Sequence, residues 1–99
     1  MIFRRNRFGD LVRRQLDLFA ADEAGLLREA EEAERGYDSA ERDDAEEAYG
    51  DFQLVLEAVA ERLEELRDTY AATLEAGAAE DYEDAFARAV HKRFPRVRV

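Results

Sequence analysis

The stretch DDAEEAYGDFQLVLEAVAERLEELRDTYAATL, residues 43–74, decides the fold. Within it Ala45, Tyr49, Phe52, Leu56, Val59, Leu63, Leu66 and Tyr70 recur in alternating steps of four and three, without a miss. That rhythm is the seam of an amphipathic helix lying lengthwise against another helix. At 1.5 Å per residue such a helix is about 48 Å long, more than a compact core of this chain needs. The expected class is therefore all-α, built on a long hairpin.

Working outward, residues 8–35 carry the matching seam: Val12, Leu16, Phe19, Glu23, Leu26, Ala30 and Ala33. Glu23 is its one acid, and Asp22 to Gly25 is a place where the helix is expected to bend, since glycine weakens a helix interior. Gly36 is expected to end this helix in the left-handed conformation. Residues 37–42 then form a turn, and Asp43 with Glu46, or Asp44 with Glu47, fits an acidic capping box for the helix over 43–75. So short a turn makes the two helices antiparallel, with Ala30 and Ala33 opposite Tyr49 and Phe52. Glu75 to Ala79 is the next turn. A third, shorter helix over 79–94 presents Tyr82, Phe86, Ala89, Val90 and Phe94 inward and stops before Pro95. It is expected to pack where Leu11 and Leu18 form a second apolar stripe. The basic arm 1–7, with Phe3 and Phe8 closing the lower end of the core, and the basic tail 95–99, as an edge strand or loose, complete one domain over 1–99.

This layout leaves the distal half of the hairpin without a third helix. Beyond Gly50 the second helix is apolar nearly all round, with Leu54 and Ala58 pointing away from the seam. A helix apolar on more than one face is covered on more than one face. Large bare apolar patches are rare on monomers, so two distal half-hairpins are expected to form a four-helix bundle in a twofold homodimer. The residues expected at that interface are Leu26, Leu54, Val55 and Ala58.

Charge is distributed unevenly. The net value of -10 over 99 residues comes from 15 lysines and arginines against 25 acids. Residues 1–14 hold five arginines and one aspartate, and residues 88–99 hold four arginines and one lysine with no acid. The body between them is strongly acidic and repels polyanions over most of its surface. With no cysteine, a disulfide frame and thiolate metal centres are excluded. The N-terminal arginines are not followed by the apolar run of a signal peptide, and no stretch approaches the ~20 apolar residues of a membrane span, so a cytoplasmic location is expected.

The pattern offers little chemistry. A di-iron carboxylate bundle needs Glu-x-x-His pairs on two helices, whereas the one histidine, His91, is preceded at that spacing by Arg88. Neither a metal nor a cofactor is expected. Glu23 on the seam is a candidate acid or base if buried; the plainer expectation is a side chain reaching water or pairing with Arg88, His91 or Arg93 of the third helix. Ser39, Thr69 and Thr73 have no histidine beside them, and isolated glycines form no phosphate-binding loop. The tyrosines at 37, 49, 70 and 82 fall on seams or turns and read as core or rim. Arg4, Arg5, Arg7, Lys92, Arg93, Arg96 and Arg98 are the residues that would contact a nucleic acid or an anionic membrane. Against that stands an intramolecular use, in which these cations balance acidic flanks and helix C-termini.

In size, charge and lack of cysteine the chain is similar to the small secreted WXG-type helical-hairpin proteins. It has no tryptophan and its turn reads Arg35-Gly36-Tyr37, so no function is carried over. The expected function is that of a non-catalytic helical interaction or scaffolding protein acting through self-association. An unidentified protein partner is also expected; anion binding through the basic ends is the alternative, and a carboxylate metal-binding bundle the more distant one.

Overall fold

The computed structural model describes residues 7–99, and among these every regular element is helical. There are four: α1 (Gly9–Asp22), α2 (Ala24–Ser39), α3 (Ala45–Ala71) and α4 (Ala76–Arg93). The molecule measures 51 × 25 × 20 Å, with a radius of gyration of 15.8 Å. A compact domain of this length would have a radius of about 12–13 Å, so the shape is a rod.

The long seam is present as read. Phe52, Val59 and Leu63 are buried and Leu56, Leu66 and Tyr70 half-buried, while Tyr49 at the distal end is 47% exposed. On the facing helices Val12, Leu16 and Phe19 are buried. The continuous helix expected over 8–35 is instead two. Glu23 alone separates them, with φ -106° and ψ 28°. Its N–H still donates to the Phe19 carbonyl (2.8 Å) and its own carbonyl accepts from Leu27 (3.0 Å), so the chain changes direction without losing these two backbone bonds. The bend lets α1 and α2 follow different neighbours. α2 runs along α3 as the distal hairpin, and α1 leans on α4.

Helix ends depart from the sequence reading for local reasons. Gly36 does not terminate a helix; α2 runs on to Ser39, and no described glycine has positive φ. The additional turn places Tyr37 against Tyr49 (5.2 Å between rings) and Phe52 (6.4 Å), a contact that an earlier stop would forfeit. The Ser39 hydroxyl donates to the Arg35 carbonyl (2.8 Å), and Ala40 then turns extended. The expected capping box is not formed: Asp44 precedes α3 at φ -103°, ψ -8°, with no side-chain cap bond. α3 covers 45–71 rather than 43–75. Its last carbonyls are taken by tight-turn bonds from Thr73 and Leu74 and by the Thr73 hydroxyl (2.7 Å to Tyr70). α4 starts at Ala76, so Gly77 lies in its first turn and not in the preceding loop.

α4 runs parallel to α1. Tyr82 meets Phe8 edge-on (5.7 Å) and donates to Gln15 Oε1 (2.9 Å), while Phe94 at the far end meets Phe19 edge-on (6.1 Å). Tyr82, Phe86 and Val90 are almost wholly buried, with Ala89 and Phe94 half-buried beside them. Phe8 closes the lower end of the core; Phe3 lies outside the described residues. The expectation for Leu18 fails. It is 64% exposed and lines a groove between α1 and α3, because α4 packs along the Phe8–Phe19 stripe of α1, from which Leu18 is rotated by about a quarter turn.

The tail is neither a strand nor loose. Val97 N–H donates to the Phe94 carbonyl (2.9 Å), making a turn, and Val97 is buried. Pro95 and Arg96 cross the α2–α3 hairpin beside Phe52 and Leu56. Part of the mid-section that the sequence leaves uncovered is thus covered by the chain itself.

Candidate functional site

The hairpin of α2 and α3 is the part of the molecule with surface to spare, and its two faces differ. On one face the tail crosses. On the other, Leu54 is 66% exposed, and Val55 and Ala58 are half-exposed and stand apart from the core and its packed periphery. Leu54 projects from the back of α3, about half a helical turn from the seam residues Phe52 and Leu56. Leu26, the fourth residue expected at an interface, is half-buried and packs against the core edge. The four do not form one bare patch: the α3 residues are open, and Leu26 is partly spent on the core.

Charge frames these faces. Residues 28–57, the distal hairpin, hold twelve acids against three arginines. The aromatic trio Tyr37, Tyr49 and Phe52 sits within this acidic end and is partly open, as Tyr49 shows.

Glu23 is paired, but not with α4. Its Oε2 accepts from Arg62 of α3 at 2.9 Å, and its side chain is 25% exposed. The antiparallel run of α3 brings Arg62 to the height of the bend, whereas Arg93 is drawn to Asp17 (2.6 Å). The pair sits on the rim of the α1–α3 groove that also holds Leu18, Leu66 and Thr69. It is half in water, and such pairs contribute on the order of 0–1 kcal/mol. Arg62 faces Glu23 because residue 62 falls one step off the α3 seam at that level, a relation that depends on helix register.

Among the described residues, three of the candidate anion-contacting cations are paired within the molecule. Arg7 pairs with Asp81 (3.6 Å), Arg93 with Asp17, and Arg96 with Glu34 (3.2 Å). Arg7 and Arg93 also lie over the rings of Phe8 (5.2 Å) and Phe94 (5.8 Å). Arg98 borders the cleft that holds Tyr37 and Tyr49, and Lys92 is exposed at the end of α4. Arg4 and Arg5 lie outside the described residues. Arg93, Arg96 and Arg98 line the clefts on either side of Pro95, among Glu31, Glu34 and Glu57, and Lys92 lines neither.

Three titrations are perturbed, the first being Arg67, whose guanidinium is held above its ordinary value by its hydrogen bond to Asp68. Burial pushes the Tyr82 hydroxyl above its ordinary value, opposed by its bond to Gln15. The hydrogen bond from Arg67 (2.8 Å) holds the exposed Asp68 carboxyl below its usual range. Asp68 shares an open cleft with Thr69, whose other walls are Glu61, Glu64 and Glu65, with no histidine among them. The Ser39 and Thr73 hydroxyls each donate to a backbone carbonyl. Among the described residues no three acids or histidines converge as metal ligands, and no helix is long and apolar enough to cross a membrane.

The chain matches no known family model, no curated protein and no solved structure.

Proposed function

We propose that this protein is a non-catalytic helical interaction protein that acts through self-association, two copies meeting along the back of their α3 helices. The observation that supports this reading is Leu54, two-thirds exposed on the back of α3, with Val55 and Ala58 beside it. A twofold axis near Leu54 would set each patch against its copy, the self-complementary contact of most small homodimers. The elongated shape suits a scaffold, which has to present surface more than enclose a cavity. The pairing of Arg7, Arg93 and Arg96 with acids of the same chain weakens the anion-binding alternative, since a phosphate would have to displace those carboxylates.

Light scattering coupled to size exclusion at micromolar concentration tests the proposal. The expected mass is twice the 11.4 kDa of the chain, falling to the single-chain value in a Leu54→Glu, Ala58→Glu variant with unchanged helical circular dichroism. A wild-type monomer, or a dimer indifferent to both glutamates, overturns it.

A further inference from the structure

The face of the hairpin under the tail carries a second, separate inference. Two clefts of about 410 and 480 Å³ lie on either side of Pro95 and Arg96, and both have Phe52 and Leu56 in their walls. The Pro95–Arg96 segment is thus a ridge across one trough. Under the ridge the trough is apolar, with Ala30 and Leu27 from α2 facing Phe52 and Leu56 from α3. Its hairpin rim is acidic, with Glu31 and Glu34 on one side and Glu57 on the other, and Arg93 stands at the α4 end. The tail is held across it at three points: Phe94 edge-on to Phe19, Arg96 on Glu34 at 3.2 Å, and Val97 buried. The last two attachments carry no helical hydrogen bonding behind them, so they can be released without unfolding α4.

We infer that this trough is a docking groove for an extended basic–apolar peptide segment, and that the tail occupies it in cis as a strap. The occupant's chemistry follows from what is seated there: an arginine for the acidic rim and an apolar side chain one residue on for the apolar floor. An incoming segment must supply the same charge complementarity and displace Arg96 and Val97. A short tether holds its segment at an effective concentration on the order of millimolar, so the closed strap suppresses the apparent affinity of any competitor. Opening the strap restores that affinity. This groove lies on the opposite side of α3 from Leu54, so its failure leaves self-association untouched.

The test uses the full chain and a fluorescein-labelled peptide of sequence FPRVRV, followed by anisotropy. Val97→Glu forces a carboxylate into the apolar site that holds Val97 and opens the strap; Arg96→Glu sets a carboxylate against Glu34 and opens it without touching the buried side chain. Both variants are expected to bind the peptide at least roughly tenfold more tightly than the wild type. Adding Glu34→Arg to Arg96→Glu rebuilds the ion pair with reversed polarity and is expected to return binding to the wild-type level. Three results overturn the inference: equal affinity for the wild type and both folded single variants, equal binding of an acidic peptide of the same length, or a Val97→Glu chain that gains mass by light scattering in place of peptide.

Discussion

Gly36→Ala separates two readings of the α2–α3 turn by the sign of its effect. If Gly36 closed a helix in the left-handed region, a Cβ there would cost about 1–2 kcal/mol. In the structure Gly36 is interior to α2, has no positive φ, and would set a Cβ where no heavy atom lies within 4 Å. The substitution then removes unfolded-state freedom at no steric cost, worth about 0.5–1 kcal/mol in the protein's favour. Because position 36 is in the last turn of a helix that ends at Ser39, the lower half of that range is expected. Gly50→Ala, in the second turn of α3 with equally open surroundings, is the internal standard and should reach about 1 kcal/mol. Urea unfolding followed by circular dichroism at 222 nm reads both. A rise in midpoint for Gly36→Ala, at unchanged slope, is the expected result. A fall of the midpoint, with Gly50→Ala still stabilising, refutes the helical assignment of residues 36–39.

Tyr82→Phe is expected to cost about 1 kcal/mol at pH 7, since Gln15 loses its donor but remains half-exposed to water. Burial raises the folded-state value of Tyr82 above that of the unfolded chain. The stabilisation that Tyr82 contributes is therefore complete below the unfolded value of about 10 and is lost as pH rises toward the folded one. The gap between wild type and Tyr82→Phe in urea unfolding should narrow above pH 10, by at most ~1.4 kcal/mol per pH unit; a gap constant to pH 11 contradicts a buried hydroxyl. Leu63→Ala, at a wholly buried seam position, is expected to cost 2–5 kcal/mol by thermal or urea unfolding, and a loss below about 1 kcal/mol would show that the seam there is loosely packed.

The residues that form the helices were legible because periodicity is a property of neighbours in sequence. The run from Ala45 to Tyr70 keeps one stripe under α-helical geometry whatever it packs on, and Val12, Leu16 and Phe19 do the same. The third helix was legible for the same reason, down to its stop before Pro95. Ends were less so. Gly36 has the composition of a terminator, yet what Tyr37 gains by reaching Tyr49 and Phe52 outweighs a glycine preference worth about 1 kcal/mol. Asp43 and Asp44 spell a cap but sit in a turn, with Asp44 N–H donating to the Glu41 carbonyl and its backbone in the αR region, away from the extended geometry a capping residue adopts.

The amino-acid sequence by itself determined that the chain is helical, where the seams lie, and that α3 has more apolar surface than one partner can bury. It also placed a weak point between Asp22 and Gly25. Only the tertiary structure decided that this weak point becomes a break, that Glu23 pairs with Arg62 and not with α4, and that Leu18 is left to solvent. It also decided that the tail, with Val97 buried and Arg96 on Glu34, covers one side of the distal hairpin. The physical reason is range. Helix propensity and hydrophobic period are set within a turn or two of chain, whereas the partner of a side chain tens of residues away depends on how packed helices rotate and slide, and pattern alone carries no term for that.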